Sequence, residues 1–282
     1  MNITTTRLQR VSVAALAEGQ KLVEDLRLFT RKTNGRALFR QAHAEGMSLL
    51  VKANEDVGRE LYFFRQFEPS ESKFLTGQIK ESDICVDIGA NVGFYTLSFG
   101  KKACRGVVHS FEPVPLNYHV LAVNVLSNCL PNVVMNNCAV GDKTGDVKFC
   151  VARDGAFSSL VDTGREAIVE QVTTRIVTLD SYCSTYNVQR VDVLKVDVEG
   201  AEMAVLRGAR QLLSDNKSRP RLIMLELFGP MLEQFGSTID EITEFMHEHT
   251  YSPFVFIGDQ SVPFAKAYHD KFYNVLFMPG SI

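Results

Sequence analysis

The chain has 282 residues, 45% of them hydrophobic and 22% charged, with a formal net charge of −3. This suits one α/β domain with an appendage, or at most two domains, and leaves room for a sizeable core. The near-neutral balance gives no global electrostatic case for nucleic acid, and no apolar run matches a signal peptide or a membrane span.

From the N-terminus, Leu8, Val11, Ala15, Leu22, Leu26 and Phe29 recur among charges over residues 7–30. This is the pattern of an amphipathic helix, one that would pack on the core, cover a cleft or join a homodimer. Thr33-Asn34-Gly35 ends it. Residues 36–54 read as a short hairpin, with the clearest strand over 47–51. Asp56 is placed to cap a helix over 57–65, and the turn at 67–71 leads to a helix through Ile79. Residues 1–80 thus read as a helical and hairpin extension ahead of a domain at 81–282.

In that domain, strands at 84–88, 106–111, 132–140, 192–198 and 221–228 alternate with helices at 93–103, 115–128, 202–213 and 238–249. The strand-like segments 147–151 and 171–177 pair as a hairpin insert, 147–177, that carries a candidate acceptor loop over 152–170. Asp180 is placed to cap a short helix reaching Tyr186. Strands at 255–258 and 272–278 close the chain as an antiparallel pair. Such alternation predicts a doubly wound, mostly parallel α/β sheet of seven strands, covered on both faces, with an antiparallel C-terminal strand. Right-handed crossovers bring the turns after 84–88, 106–111 and 192–198 to one edge.

The turn after the first of these strands is the strongest signal. Asp87-Ile88-Gly89-Ala90-Asn91-Val92-Gly93 joins an apolar strand to a helix through glycines that let a ligand approach the backbone. A dinucleotide fingerprint needs glycines at offsets 0, 2 and 5 from the first. Counted from Gly89, Asn91 and Phe94 stand at the second and third of these positions. That disfavours a nicotinamide-dependent oxidoreductase, and no P-loop ending is present. Glu112 ends the strand at 106–111, where a carboxylate can accept hydrogen bonds from a ribose diol. Pro113 and Pro115 then stop the strand and start a helix. Glu68 and Glu71, ahead of the domain, are placed to cover the cofactor.

The second signal is Lys195-Val196-Asp197-Val198-Glu199-Gly200-Ala201-Glu202. Alternation puts Lys195, Asp197 and Glu199 on one side of a strand, and buried charges are costly unless paired. Two readings stand. One is a structural Lys195–Asp197 ion pair with Glu199 and Glu202 as early-helix acids. The other makes Asp197 or Glu199 a general base at the strand's carboxyl end, with Lys195 beside them as a catalytic candidate. Glu226, ending the strand at 221–228, faces the same crevice as a substrate contact, and Ser158 and Ser159 in the insert are further substrate candidates. A variant lets Asp197, Glu199 and Glu226 hold a divalent cation, although no metal is expected. His109, His119, His247 and His249 read as structural or surface residues. Cys85, Cys104, Cys129, Cys138, Cys150 and Cys183 are scattered without a Cys-x-x-Cys pair. They are expected to be reduced, largely core thiols of a cytoplasmic protein.

Together with Phe111-Glu112-Pro113-Val114-Pro115, the two segments above resemble, in order, the signatures of FkbM-type methyltransferases. Asn124, Ala139-Val140-Gly141 and Thr178-Leu179-Asp180 fit as well, and the resemblance spans roughly residues 48–228. It implies a class I (Rossmann-like) methyltransferase fold and S-adenosyl-L-methionine as donor, leaving S-adenosyl-L-homocysteine. It also implies O-methylation of a hydroxyl on a sugar or natural product, so the expected partner is a small-molecule or glycan acceptor. Carried over by position, Asp87, Gly89, Ala90, Asn91, Gly93, Phe94, Tyr95 and Thr96 would line the methionine end, and Asp197 would join them. Glu112 and Pro113 would hold the ribose, and Cys138, Ala139 and Val140 would flank the adenine. The resemblance does not settle the base. The competing readings are an RNA methyltransferase, for which Arg31, Lys32, Arg36 and Arg40 supply some charge, and a catalytically silent cofactor-binding subunit.

Overall fold

The computed structural model describes residues 39–257, 260–265 and 273–280. The expected helix at 7–30, the homodimer contact built on it and the arginines before Phe39 lie outside the described residues.

Strands β1 (Phe39–Ala44) and β2 (Met47–Lys52) form an antiparallel hairpin. Their turn is Glu45-Gly46, with φ of 50° and 72°, the two-residue geometry whose twist matches paired strands. Helices α1 (Asp56–Phe63) and α2 (Pro69–Gly77) follow. Asp56 is not the cap of α1: it is the first helical residue, and its N–H donates to the Asp154 carboxylate 2.7 Å away. A cap from another part of the chain serves where a local one was expected.

The chain continues with β3 (Ile84–Ile88), α3 (Phe94–Lys102), β4 (Val107–Phe111), α4 (Pro115–Ser127) and β5 (Val133–Asn136). The single strand expected at 132–140 is two. After β5 the chain turns at Asn137, whose amide donates to the Glu112 carbonyl at 2.8 Å, and β6 (Ala139–Val140) enters a separate sheet. There β6 pairs with β8 (Ile168–Val177), itself the antiparallel partner of β7 (Gly145–Ala152). Helix α5 (Leu179–Tyr186) is capped by Thr178, which accepts from Ser181 N–H at 3.1 Å. Asp180 instead accepts from the Gln211 and Leu212 N–H groups at the start of a later helix.

β9 (Val193–Val196) is shorter than its apolar pattern suggested. The helix expected at 202–213 divides into α6 (Glu202–Arg207) and α7 (Arg210–Ser214) at Gly208. A Cβ at Gly208 would lie 2.0 Å from the Gly141 carbonyl, so the two backbones touch there. Then come β10 (Leu222–Leu227), α8 (Gly229–Gln234), α9 (Ile239–Glu248), β11 (Tyr251–Ile257), β12 (Gln260–Pro263) and β13 (Tyr273–Pro279). Helix α8 and strand β12 are not evident in the sequence pattern.

The main sheet has the order β12-β11-β13-β10-β9-β3-β4-β5. Its five strands from β10 to β5 are parallel, β13 is antiparallel to both its neighbours, and β12 adds an eighth strand at the edge. Strand alternation divides the core. Val86, Ile88, Leu194 and Val196 pack on one face with Leu179, Tyr182, Leu206, Leu213, Ile242 and Phe245. Cys85, Val193, Leu222 and Met224 pack on the other with Leu97, Phe99, Val120 and Leu121, and with Met47, Leu49, Leu61 and Leu75 of the extension. Asn124 joins the extension to the glycine turn: its amide accepts from Leu50 N–H and donates to the Leu50 and Val92 carbonyls. None of the described helices is long and apolar enough to cross a membrane.

Candidate active site

A cavity of about 920 Å³ opens beyond the carboxyl ends of β3, β4, β9 and β10, where open parallel sheets place their ligands. The extension walls one side with Asp56, Val57, Glu60, Glu68 and Glu71, and the insert another with Gly155, Ala156, Phe157, Ser158 and Arg165.

The glycine turn forms the floor. Gly89 sits at φ 78°, and a Cβ there would lie 1.7 Å from the Asp197 carbonyl. Only glycine permits this contact between the end of β3 and the end of β9. The Gly89 and Ala90 N–H groups both donate to the Phe111 carbonyl at 3.0 Å, which fixes the turn to the end of β4. Glu112, 4% exposed, lines the cavity. Its two oxygens accept from Asn91 N–H and Val114 N–H, each at 2.8 Å. The carboxylate therefore locks two loops while its outer edge faces the cavity. Burial pushes its pKa up to about 7 against those hydrogen bonds. Asn91 also lines the cavity, and its Oδ1 is buried without a hydrogen-bond partner.

Beneath the floor lies a line of charge. Asp87 and Lys195 are register partners on adjacent strands, so alternation sends both toward α3. Lys195 Nζ is 3.6 Å from Asp87 Oδ1, 3.0 Å from Asp197 Oδ2 and 5.1 Å from the Tyr95 ring centroid. Asp87, fully buried, accepts from Thr96 Oγ1 at 2.6 Å, and burial raises its pKa despite Lys195. Burial favours the neutral form of Lys195 too, but Asp197 and Asp87 outweigh it and hold the ammonium charged. Tyr95 Oη donates to Glu68 at 2.5 Å, and burial lifts Glu68 to about 7.

On the far side, Asp197, Glu199 and Glu226 bring carboxylate oxygens within 4.8 Å of one another. Their environments separate them. Burial works against the charge on Asp197, but Lys195 prevails and its pKa falls. Glu199 turns away at φ 54° and pairs with Arg165 Nη1 at 2.6 Å; burial and Asp197 still push it up to about 8. Burial and the Asp197 charge raise Glu226 well above the ordinary carboxylate range, so it keeps its proton and shares a hydrogen bond with the ionised Asp197. Lys195 and Arg165 already neutralise two of the three, so a divalent cation would have to compete with both.

Of the residues expected from sequence, Gly89, Asn91, Glu112, Pro113, Cys138, Ala139, Val140, Ser158, Asp197, Glu199 and Glu226 gather on this cavity. Asp87, Ala90, Gly93, Phe94, Tyr95, Thr96 and Lys195 do not reach its wall. They are buried beside it, Lys195 on β9 and the others around the junction of β3 and α3. Ser159 is buried and donates to the Glu199 carbonyl at 3.1 Å. Arg165, Phe157 and Phe228 were not singled out in the sequence. Nothing local distinguishes an arginine in a polar insert, and its partner is far along the chain. His109 is structural: it is buried against Tyr182 Oη at 2.9 Å, and burial lowers its pKa to about 4.

The model of the methyltransferase FkbM domain matches residues 87–253. Among curated proteins, Methyltransferase 1 of Beauveria bassiana is 28% identical over 182 residues, 56% of this chain and 71% of that protein. The 31-O-demethyl-FK506 methyltransferase FkbM of Streptomyces tacrolimicus is 25% identical over 191 residues, 55% of this chain and 71% of its own. The hexuronic acid methyltransferase AglP of Haloferax volcanii is 28% identical over 145 residues, 50% of this chain and 56% of its own.

Proposed function

The chain belongs to the methyltransferase FkbM family, and from that premise we propose that it is an S-adenosylmethionine-dependent O-methyltransferase acting on a hydroxyl of a sugar or another natural-product small molecule. The observation that carries this reading is Glu112, a buried carboxylate fixed by two backbone N–H groups at the cavity wall, beside a glycine turn that leaves no room for a side chain.

The residues fit such a donor. Glu112 presents acceptor lone pairs to a ribose diol. Cys138, Ala139, Val140 and Phe149 offer an apolar slot for a base. The orphaned Asn91 Oδ1 and the bare Gly89 backbone suit the polar amino-acid tail. When bound, the donor supplies a methyl group already activated on a sulfonium.

The chain's own residues then have two tasks. The first is orientation, which can supply about 7–11 kcal/mol of the barrier. The second is removal of the acceptor proton as the hydroxyl oxygen forms its new bond to carbon. Asp197 is held ionised by Lys195 and is a weak base. Glu199, at about 8, matches neutral conditions better. Glu199 takes the proton, and Asp197 with protonated Glu226 orients the acceptor. The names of two relatives, for 31-O-demethyl-FK506 and for hexuronic acid, support acceptors of those kinds.

Methyl-labelled S-adenosylmethionine, offered with pools of uronic acids, neutral sugars, hydroxylated macrolides and RNA, tests the reading. Label is expected in an O-methyl ether of one of the first three. Glu199→Gln is expected to lose about a hundred- to ten-thousand-fold in kcat at unchanged donor affinity. Label in RNA alone, or none with any pool, would overturn the proposal.

A further inference from the structure

The insert reaches across the cavity and holds Glu199 by both its side chain and its main chain. Arg165 Nη1 donates to the carboxylate at 2.6 Å, and Ser159 Oγ donates to the carbonyl at 3.1 Å. The guanidinium is itself fixed between layers, 4.4 Å from the Phe157 ring centroid and 5.7 Å from that of Phe228. One ring belongs to the insert and the other directly follows the strand that carries Glu226. Glu199 sits at φ 54°, a conformation that L side chains adopt only where the surroundings over-determine it. Acids crowd it, Asp197 from the end of β9, Glu202 from α6, Glu226 from β10 and Asp154 from the insert, with Lys195 on the far side of Asp197.

We propose that Arg165 is a positioning residue for methyl transfer: it aims the Glu199 carboxylate at the acceptor side of the cavity and stabilises its charged form, so the base is assembled only when the insert is docked. This rests on the reading of Glu199 as the base. Any guanidinium 2.6 Å from a carboxylate lowers its proton affinity, so that shift alone does not separate docking from positioning. A positioning role also ties turnover to it: the acid limb of the pH profile of kcat moves with the Glu199 midpoint.

The test is carbon-13 NMR of the full chain labelled at the glutamate carboxyl carbons and saturated with S-adenosylhomocysteine. The Glu199 signal is assigned by its loss in Glu199→Gln. In Arg165→Gln the Glu199 midpoint is expected to rise at least tenfold in proton affinity, with Arg165→Lys restoring most of the difference. The affinity for S-adenosylhomocysteine should change less than about threefold, since the guanidinium lies on the acceptor side. Phe157→Leu, which keeps the cation but removes the ring beneath it, is expected to shift the midpoint less and in the same direction. It covers the case in which Arg165→Gln fails to fold. An unchanged midpoint in the folded variants, or a midpoint that shifts while the pH profile of kcat stays in place, would overturn the proposal. Failure of Glu199 as the base would appear separately, as full turnover by Glu199→Gln with the Arg165 shift intact.

Discussion

Single residues here carry more than one load. Glu112 faces the cavity and also joins the Asn91 and Val114 backbones. Glu112→Gln replaces one acceptor oxygen with a donor, which leaves a backbone N–H without its partner. Such a loss costs about 1–3 kcal/mol, and donor affinity measured by calorimetry should fall at least tenfold. Gly89→Ala meets the Asp197 carbonyl and a positive φ together. It is expected to abolish donor binding and lower the melting temperature, and retention of both would contradict the account of the turn. Lys195 is the cation between Asp87 and Asp197. Lys195→Met strands the fully buried Asp87, a loss of about 3–5 kcal/mol for breaking a buried pair, readable in urea unfolding.

At the scale of elements, long-range hydrogen bonds join pieces that sequence alone keeps apart. Asp154 of the insert accepts from Asp56 N–H at the start of α1 and from Ala156 N–H. Asp154→Ala should therefore loosen both segments, seen as faster amide exchange at 55–58 and 154–158 with the β3–β4 core unchanged. The parallel strands were legible because 84–88 and 222–227 are apolar except for one acid each, Asp87 and Glu226, and are bounded by turn residues. The glycine turn was legible because its residue types serve one local geometry. Helix caps were less so: Asp56 and Asp180 are good capping types, yet the start of α1 is served by the distant Asp154 side chain and the Asp180 carboxylate is taken by the distant Gln211 and Leu212 N–H groups. The pairing of Arg165 with Glu199 was not legible at all, since it depends on how the insert folds back over the sheet. The three charges of 195–199 were read as sharing one side, and the short β9 explains the departure. Lys195 and Asp197 do pair, whereas Glu199 follows a turn that the strand pattern does not describe.

Across the whole molecule, the site stores protons. Burial raises Glu68, Glu112 and Glu202 to about 7, and Glu199 to about 8, from an ordinary value of 4.5. Between those limits the folded chain binds more protons than the unfolded one, so stability falls as pH rises. Their contribution is fully present below about pH 4.5 and is lost as pH rises through 7 to 8. Asp197, whose folded pKa is lowered, acts in the opposite sense only in acid. The melting temperature of the unliganded protein is therefore expected to drop by several degrees between pH 6 and pH 8.5. Glu202→Gln should flatten part of that slope, because its buried Oε2 has no partner to stabilise the charge. A midpoint that rises over the same range would contradict the buried-carboxylate account.

A sulfonium nucleoside should occupy the cavity floored by Gly89 and walled by Glu112. Calorimetric titration of the folded protein with S-adenosylmethionine and S-adenosylhomocysteine is expected to show a single site for each, weakened at least tenfold by Glu112→Gln. Absence of binding heat for both ligands, with the protein folded, would rule that occupant out.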